Sequence, residues 1–255
     1  MGVGLFAGKV VVVTGGAGGI GRAVCEGFAE QGASVAVLDV RGTEQVAGGI
    51  SQGYDVPARG YELDVSDRSA VVGVMDAVAA DLGGLDVLVT LAGGSLGTPK
   101  DLAEIDEEHV DLVVDVNVKG TFYCAQAALA RMPDDGAVVT VSSIGGRQPS
   151  PVTGVPYAAS KAAVLGLTRR LAREVGGRGQ RVNAVAPGLF LTGRLQQMYD
   201  EMPAAEREEV LGAIPLGRFP ELREIVDPVL FLAGPGASYI TGVVLDVNGG
   251  RFMPL

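Results

Sequence analysis

The chain has 255 residues, a formal net charge of −10, 47% hydrophobic residues and two cysteines. That acidic balance argues against broad nucleic-acid binding and against an anionic membrane surface. The length suits one α/β domain with a sizeable core, and no run of 18 apolar residues predicts a membrane span.

Cys25 and Cys124 lie in apolar helical patterns with no Cys-x-x-Cys, so neither a disulfide framework nor a zinc site is expected. Reduced, buried thiols and an N-terminus without a basic leader fit a cytoplasmic protein.

Short β-branched runs predict strands at Val10–Val13, Ser34–Leu38, Asp86–Leu91, Ala137–Val141, Val182–Ala186 and Val243–Val247, with a weaker one at Tyr61–Val65. Helical patterns fill the gaps at Ile20–Gln31, Thr43–Ser51, Asp67–Leu82, Asp106–Met132, Pro156–Val175 and Glu221–Ala233. Strands alternating with helices predict a parallel sheet covered on both faces, hence a doubly wound α/β fold in a single domain, 1–255. Residues 189–220 hold charged clusters and scattered apolar residues, which reads as an insertion acting as a substrate lid.

Thr14–Gly21 (Thr-Gly-Gly-Ala-Gly-Gly-Ile-Gly) follows the first strand and opens the first helix. Glycines there allow a tight turn and close approach of a pyrophosphate, which the helix N-terminus attracts. Asp39 ends the second strand, where a carboxylate accepts hydrogen bonds from an adenosine ribose. Asp64-Val65, Ala92-Gly93, Ser142-Ser143 and Pro187-Gly188 fall at the same carboxyl edge of the sheet, with Thr192 just beyond. Asn117 lies inside a long helical pattern, where asparagine is disfavoured, and is expected to bend the helix or bind a water.

Tyr157 and Lys161 are four residues apart on a helix and so share a face. A phenol beside an ammonium is expected to have a lowered pKa and to trade a proton with a substrate oxygen. His109, the single histidine, is read as surface.

Taken together these residues resemble the short-chain dehydrogenase/reductase family in its single-domain form, and the likeness covers nearly the whole chain. Thr14–Gly21 matches the T-G-x-x-x-G-x-G cofactor turn. Asn117, Ser143, Tyr157 and Lys161 match the four catalytic positions, with Ser142 a minor rival to Ser143. The resemblance implies a Rossmann fold with a seven-stranded sheet and a homotetramer. It implies NAD held by Gly15, Gly18, Gly19, Ile20, Gly21, Asp39, Asp64, Val65, Ala92, Gly93, Tyr157, Lys161, Pro187, Gly188 and Thr192, and no metal. It departs from the family at Leu91, where an asparagine usually stands.

The expected activity is hydride transfer between NAD(H) and a small-molecule alcohol or ketone, with Tyr157 as general acid and base. Ser143, Ser95, Ile144, Val152, Tyr157 and Phe190 are expected to face the substrate, with Leu96, Leu189, Leu195 and Met198 beside them. This mostly apolar set suggests a largely hydrophobic secondary alcohol or ketone. Two alternatives stand: a dinucleotide sensor without catalysis, and a 3-oxoacyl reductase using acyl-carrier substrates, for which Arg131, Arg147 and Arg194 would form a basic patch.

Overall fold

The computed structural model describes residues 4–149 and 152–254. Seven parallel strands form one sheet in the order β3-β2-β1-β4-β5-β6-β7. They are β1 (Val10–Thr14), β2 (Ser34–Asp39), β3 (Ala58–Glu62), β4 (Val87–Thr90), β5 (Ala137–Val141), β6 (Arg181–Pro187) and β7 (Val244–Val247). The order reverses between β1 and β4, and the loops that follow these two strands open a crevice at the carboxyl edge. This is the doubly wound architecture that strict alternation of strand and helix predicts.

The central strands are buried on both faces, which is why they read as near-continuous apolar runs rich in valine. On one face α1 (Gly19–Glu30), α2 (Thr43–Tyr54) and α9 (Arg223–Ala233) cover a core that includes Val11, Val13, Phe28, Val89, Val139 and Val229. Phe6 meets Phe28 edge-on at 4.8 Å in that layer. On the other face α3 (Arg68–Leu82), α5 (Thr121–Leu129) and α6 (Val155–Val175) enclose Val12, Leu88, Met75, Val78 and Cys124. Each fully buried side chain of this size stabilises the fold by roughly 1.5–3 kcal/mol.

Two elements differ from the sequence expectation. The strand expected at Tyr61–Val65 lies at Ala58–Glu62. It is the sheet edge, with only half-buried or exposed residues, so its pattern is weakly apolar. The apolar residues that follow, Leu63 and Val65, instead pack under the sheet's other face. The helix expected over Asp106–Met132 is three pieces: α4 (Glu107–Val114), a π-helical turn over Asp115–Gly120, and α5. Gly120 permits the close approach of this turn to Val65, whose Cβ would lie 3.0 Å from an added methyl.

Residues 189–220 carry two helices, α7 (Arg194–Glu201) and α8 (Ala204–Gly212). Tyr199 meets Phe219 edge-on at 4.8 Å within the segment. No helix among the described residues is long and apolar enough to cross a membrane.

Candidate active site

The glycine turn is tied to the end of β2. Gly16 N donates to Leu38 O at 3.0 Å, and Ala17 N donates to Asp39 Oδ2 at 3.1 Å. Gly15 has φ +69°, and a Cβ there would sit 2.7 Å from Ala92 N, so only glycine fits between β1 and the loop after β4. α1 begins at Gly19 with no side-chain cap, which leaves its first N–H groups open to an anion.

A cavity of roughly 480 Å³ runs along this edge, lined by Gly15, Gly18, Gly19, Ile20, Gly21, Asp39, Asp64, Val65, Ala92, Gly93 and Thr192. Shape, bare amides and an acidic residue at the ribose end fit a dinucleotide. Val40, Leu63, Leu91 and Val116 line it too, although they carry no recognisable signal in the sequence.

With Leu91 in place of the family asparagine, the backbone N–H groups of Leu91 and Ala92 keep partners on β1, while the buried Thr90 hydroxyl has none among the described residues. Leu91 N donates to Thr14 O at 3.1 Å, and Ala92 N donates to Thr14 Oγ1 at 3.2 Å. The first residue of the glycine turn thus ties β4 to β1.

A second cavity of roughly 390 Å³ is walled by Ser143, Tyr157, Ser95, Leu96, Ile144, Val152, Thr153, Leu189 and Leu195. Gly93 and Leu96 line both cavities, so they meet there. Leu96 holds φ +52°, a strained backbone for a leucine, at that junction. Gly188 lines the second cavity, whereas Pro187 closes β6 opposite Val247 and is buried.

Ser142 and Ser143 separate cleanly. Ser142 is buried and its hydroxyl donates to Lys161 O at 2.7 Å, a structural tie. Ser143 lines the cavity, accepts from Gly145 N at 3.0 Å and hydrogen-bonds the Tyr157 phenol. Gly146 is required behind them, because a Cβ there would lie 2.6 Å from the Lys161 carbonyl carbon.

Asn117 is fully buried in the π-helical turn. Its Nδ2 donates to Gly94 O at 3.0 Å and to Ser160 Oγ at 2.8 Å, while its Oδ1 accepts from Gly94 N at 3.0 Å. It braces the loop after β4 against α6.

Lys161 is buried, and its Nζ donates to Val141 O at 2.9 Å, 5.8 Å from the centre of the Tyr157 ring. Burial pulls its pKa down to about 8. The expected lowering of the Tyr157 pKa is not what the structure holds. Burial raises it, and the Ser143 hydrogen bond offsets only part of the rise. The ammonium is turned to a backbone carbonyl instead of the phenolate.

Phe190 and Met198 are corrections. Phe190 is 2% exposed and belongs to the core beneath the sheet, and neither residue lines the substrate cavity. Arg131 and Arg147 do not form a patch: each is engaged by a different acid, Asp76 and Asp246. The Arg194 side chain lies outside the described residues. His109 caps α4 with Asp106 as a half-exposed surface pair. Thr153 and Arg251 are wall residues absent from the sequence expectation.

A family model described as Enoyl-(Acyl carrier protein) reductase matches residues 15–251. A 3-oxoacyl-acyl-carrier-protein reductase of Thermotoga maritima is 39% identical over 247 residues, covering 95% of this chain and 97% of its own. A subunit of a hydroxy(phenyl)methyl-succinyl-CoA dehydrogenase from Thauera aromatica is 35% identical, covering 95% and 96%.

Among solved structures, a protein described as a short-chain alcohol dehydrogenase from Sinorhizobium meliloti superposes with TM-score 0.90 at 36% identity, covering 98% of both chains. An NAD⁺-bound xylitol dehydrogenase gives 0.89 at 29% identity, covering 96% of this chain and 99% of that one. The chain belongs to the short-chain dehydrogenase/reductase family of oxidoreductases. The likeness to an NAD⁺-bound neighbour and the glycine-lined cavity support a nicotinamide cofactor.

Proposed function

We propose that the protein transfers hydride between NAD(H) and a secondary alcohol or ketone with an apolar body. The observation that carries this reading is the convergence of Ser143 and Tyr157 on one apolar cavity that meets the glycine-lined cavity at Gly93 and Leu96. The nicotinamide, when bound, supplies the hydride chemistry. The protein supplies position and a proton.

In this reading the Ser143 hydroxyl holds the substrate oxygen. The Tyr157 phenol donates a proton to it in reduction and takes one from the alcohol in oxidation. Lys161 holds the nicotinamide ribose, and Asn117 keeps the loop at Gly93–Gly94 in place. Thr192 stands beside Gly19, ready for the nicotinamide amide. Asp39 and Asp64 hold the adenosine end. The 189–220 segment serves as a lid over the substrate.

The names of the similar 3-oxoacyl-acyl-carrier-protein reductases favour a second reading, reduction of a 3-oxoacyl thioester, by the same residues.

Tyr157→Phe tests the reading. The ring still packs, but no proton can move. We expect kcat to fall by about 10²–10⁴-fold while NADH binding survives. A variant that kept more than a tenth of the turnover of the unmodified enzyme, on a panel of alcohols and ketones, would refute it.

A further inference from the structure

Among the described residues, the wall of the catalytic cavity contains one charged side chain, Arg251. Arg251 also lines an adjoining cavity of roughly 240 Å³, which shares Gly188 and Leu189 with the first. The other charges of that second cavity pair among themselves or with Arg147, not with Arg251. Arg218 forms a two-pronged pair with Glu224 at 2.7 and 2.6 Å, and Asp246 is held through Oδ2 by Arg147 at 2.9 Å, its buried Oδ1 having no hydrogen-bond partner among the described residues.

The Arg251 backbone is pinned: its N–H donates to Asn248 O at 3.2 Å and its carbonyl accepts from Gln148 Nε2 at 3.3 Å. The residue is half-buried, and its guanidinium makes no hydrogen bond or ion pair with another described residue. Acids outnumber bases 30 to 20 in this chain, so a partnerless arginine in a cavity wall is not for want of carboxylates.

Two further groups point the same way. Asn248 is 8% exposed, lines the second cavity, and its Nδ2 has no hydrogen-bond partner. Thr153 Oγ1, in the catalytic wall, is buried and equally unpartnered. A guanidinium and an amide N–H₂ are donors only, and a hydroxyl can donate. Donors without acceptors await an acceptor, and a guanidinium prefers an anionic one.

We propose that Arg251 is a specificity-determining residue that binds an anionic oxygen of the substrate, so that the preferred substrates are ketones or secondary alcohols bearing a carboxylate or phosphate. The proposal rests on the reading of Ser143 and Tyr157 given above. With the reacting oxygen held there, Leu96, Ile144, Leu189 and Leu195 take the apolar body, and the charged end reaches Arg251 at the passage into the second cavity.

The test uses two probe pairs that differ only in charge. 3-Oxobutanoate against its methyl ester isolates a carboxylate. The 3-oxobutanoyl thioester of 4′-phosphopantetheine against that of pantetheine isolates a phosphate. Binding is measured calorimetrically with NADH present and in a Tyr157→Phe background, so that no turnover intervenes. The charged member of at least one pair should bind about tenfold or more tightly than its neutral partner. Arg251→Gln should abolish that preference, and Arg251→Lys should keep part of it.

A preference for the carboxylate alone assigns a keto or hydroxy acid, and one for the phosphate alone assigns a carrier thioester. Equal binding within both pairs overturns the proposal, as does a preference that persists in Arg251→Gln. Should Arg251→Gln fail to fold, Arg251→Met makes the same comparison. Failure to bind any nicotinamide cofactor would count against the proposed function, while the probe titrations would still decide the role of Arg251.

Discussion

Asn117 and Gly94 exchange two hydrogen bonds, each 3.0 Å long, between a side-chain amide and one residue's backbone. Gly94 holds φ +150° and its neighbour Gly93 φ +137°, so this loop has little of its own to keep it in shape. The amide acts as a template for it. The π-helical turn explains why an asparagine sits in the middle of a helix: one extra residue in the turn aims its side chain at the loop.

Asn117→Ala should therefore cost more than a surface change. It leaves the buried Ser160 hydroxyl and the half-buried Gly94 N–H and C=O short of a partner, at up to about 1–3 kcal/mol for a buried group and less where water reaches it. The melting temperature should fall by several degrees, at roughly 2–4 °C per kcal/mol. The KM for the cofactor should rise as the loop loosens. A variant with unchanged melting temperature would show that the two hydrogen bonds contribute nothing.

Lys161 yields a prediction about pH. Its pKa is pulled from the ordinary 10.5 to about 8 by burial, which is worth on the order of 3 kcal/mol. A lysine with a depressed folded pKa destabilises the fold while charged. That cost is fully present below pH 8 and is relieved as pH rises toward 10.5, where the unfolded chain also loses its proton. Cys25 and Cys124, whose thiols burial pushes up, act in the opposite direction above their ordinary range. The difference between the unmodified protein and Lys161→Met removes that background. Without cofactor, the unmodified protein should gain on the variant between about pH 8 and 10.5, by calorimetric melting. A gap independent of pH would show an ordinary lysine. Lys161→Met should also bind cofactor more weakly and lose activity.

Tyr157 sets the direction of a second profile. Its pKa is raised by burial, so at neutral pH the phenol carries its proton. A protonated phenol is ready to act as an acid and must be deprotonated to act as a base. Ketone reduction should be flat around neutral pH and fall in alkali, whereas alcohol oxidation should climb as pH rises above neutral. Steady-state rates in both directions across that range check this. An oxidation rate that was level from neutral pH upward would contradict it.

Much of this site is legible in the residues because the sheet edge collects it. Val10–Val13 and the glycines after it mark a strand, a turn and a helix start, and those three together place a cofactor cavity. What local pattern does not carry depends on neighbours distant in the chain. β3 is an edge strand with polar residues, so its true position at Ala58–Glu62 rests on pairing with β2. Ser142 and Ser143 differ only in which way each side chain faces, and strand alternation cannot say which face is the cavity. Phe190 belongs to an apolar set expected to face the substrate, but it lies in the core, and an apolar residue in a loop reads the same in either place. The Tyr157 phenol fails to gain from Lys161 because the ammonium is turned to Val141 O and burial disfavours the phenolate, properties of the fold and not of four-residue spacing. Arg251 enters the site only because β7 lies beside β6.

The surface supports a prediction on assembly. Phe231 on α9 is 45% exposed, Val243 and Leu245 at the β7 edge are 39% and 36%, and Tyr239 is fully exposed. On the α4 side, Val110 and Leu112 are 40% and 45% exposed. Apolar surface at a free sheet edge and on a helix favours self-association with closed symmetry. We propose a homotetramer. Sedimentation at micromolar concentration should show a species well above 26.0 kDa, and a monomer would refute it.

We propose that Asp39 selects NAD(H) over NADP(H). Its Oδ2 accepts from Ala17 N at 3.1 Å and its Oδ1 from Val40 N at 2.8 Å, so the carboxylate is fixed at the rim of the cofactor cavity. Ribose hydroxyls can donate to it, which suits NAD(H). A 2′-phosphate would meet it charge to charge. At about 4 Å and an effective dielectric near 20 that repulsion is roughly 4 kcal/mol per unit charge pair, less what salt screens at this open rim. The turn residues Gly16, Ala17 and Gly18 offer no cation in compensation, and Arg41 is exposed two residues beyond. We therefore expect kcat/KM for NAD to exceed that for NADP by about tenfold or more. Asp39→Ser should narrow the gap, chiefly by improving NADP, because it removes the charge that repels the phosphate. The same change frees Ala17 N, a donor that the phosphate itself could then engage. Initial rates with both cofactors, in both proteins, check this. Equal or better turnover with NADP in the unmodified enzyme would overturn the assignment of Asp39.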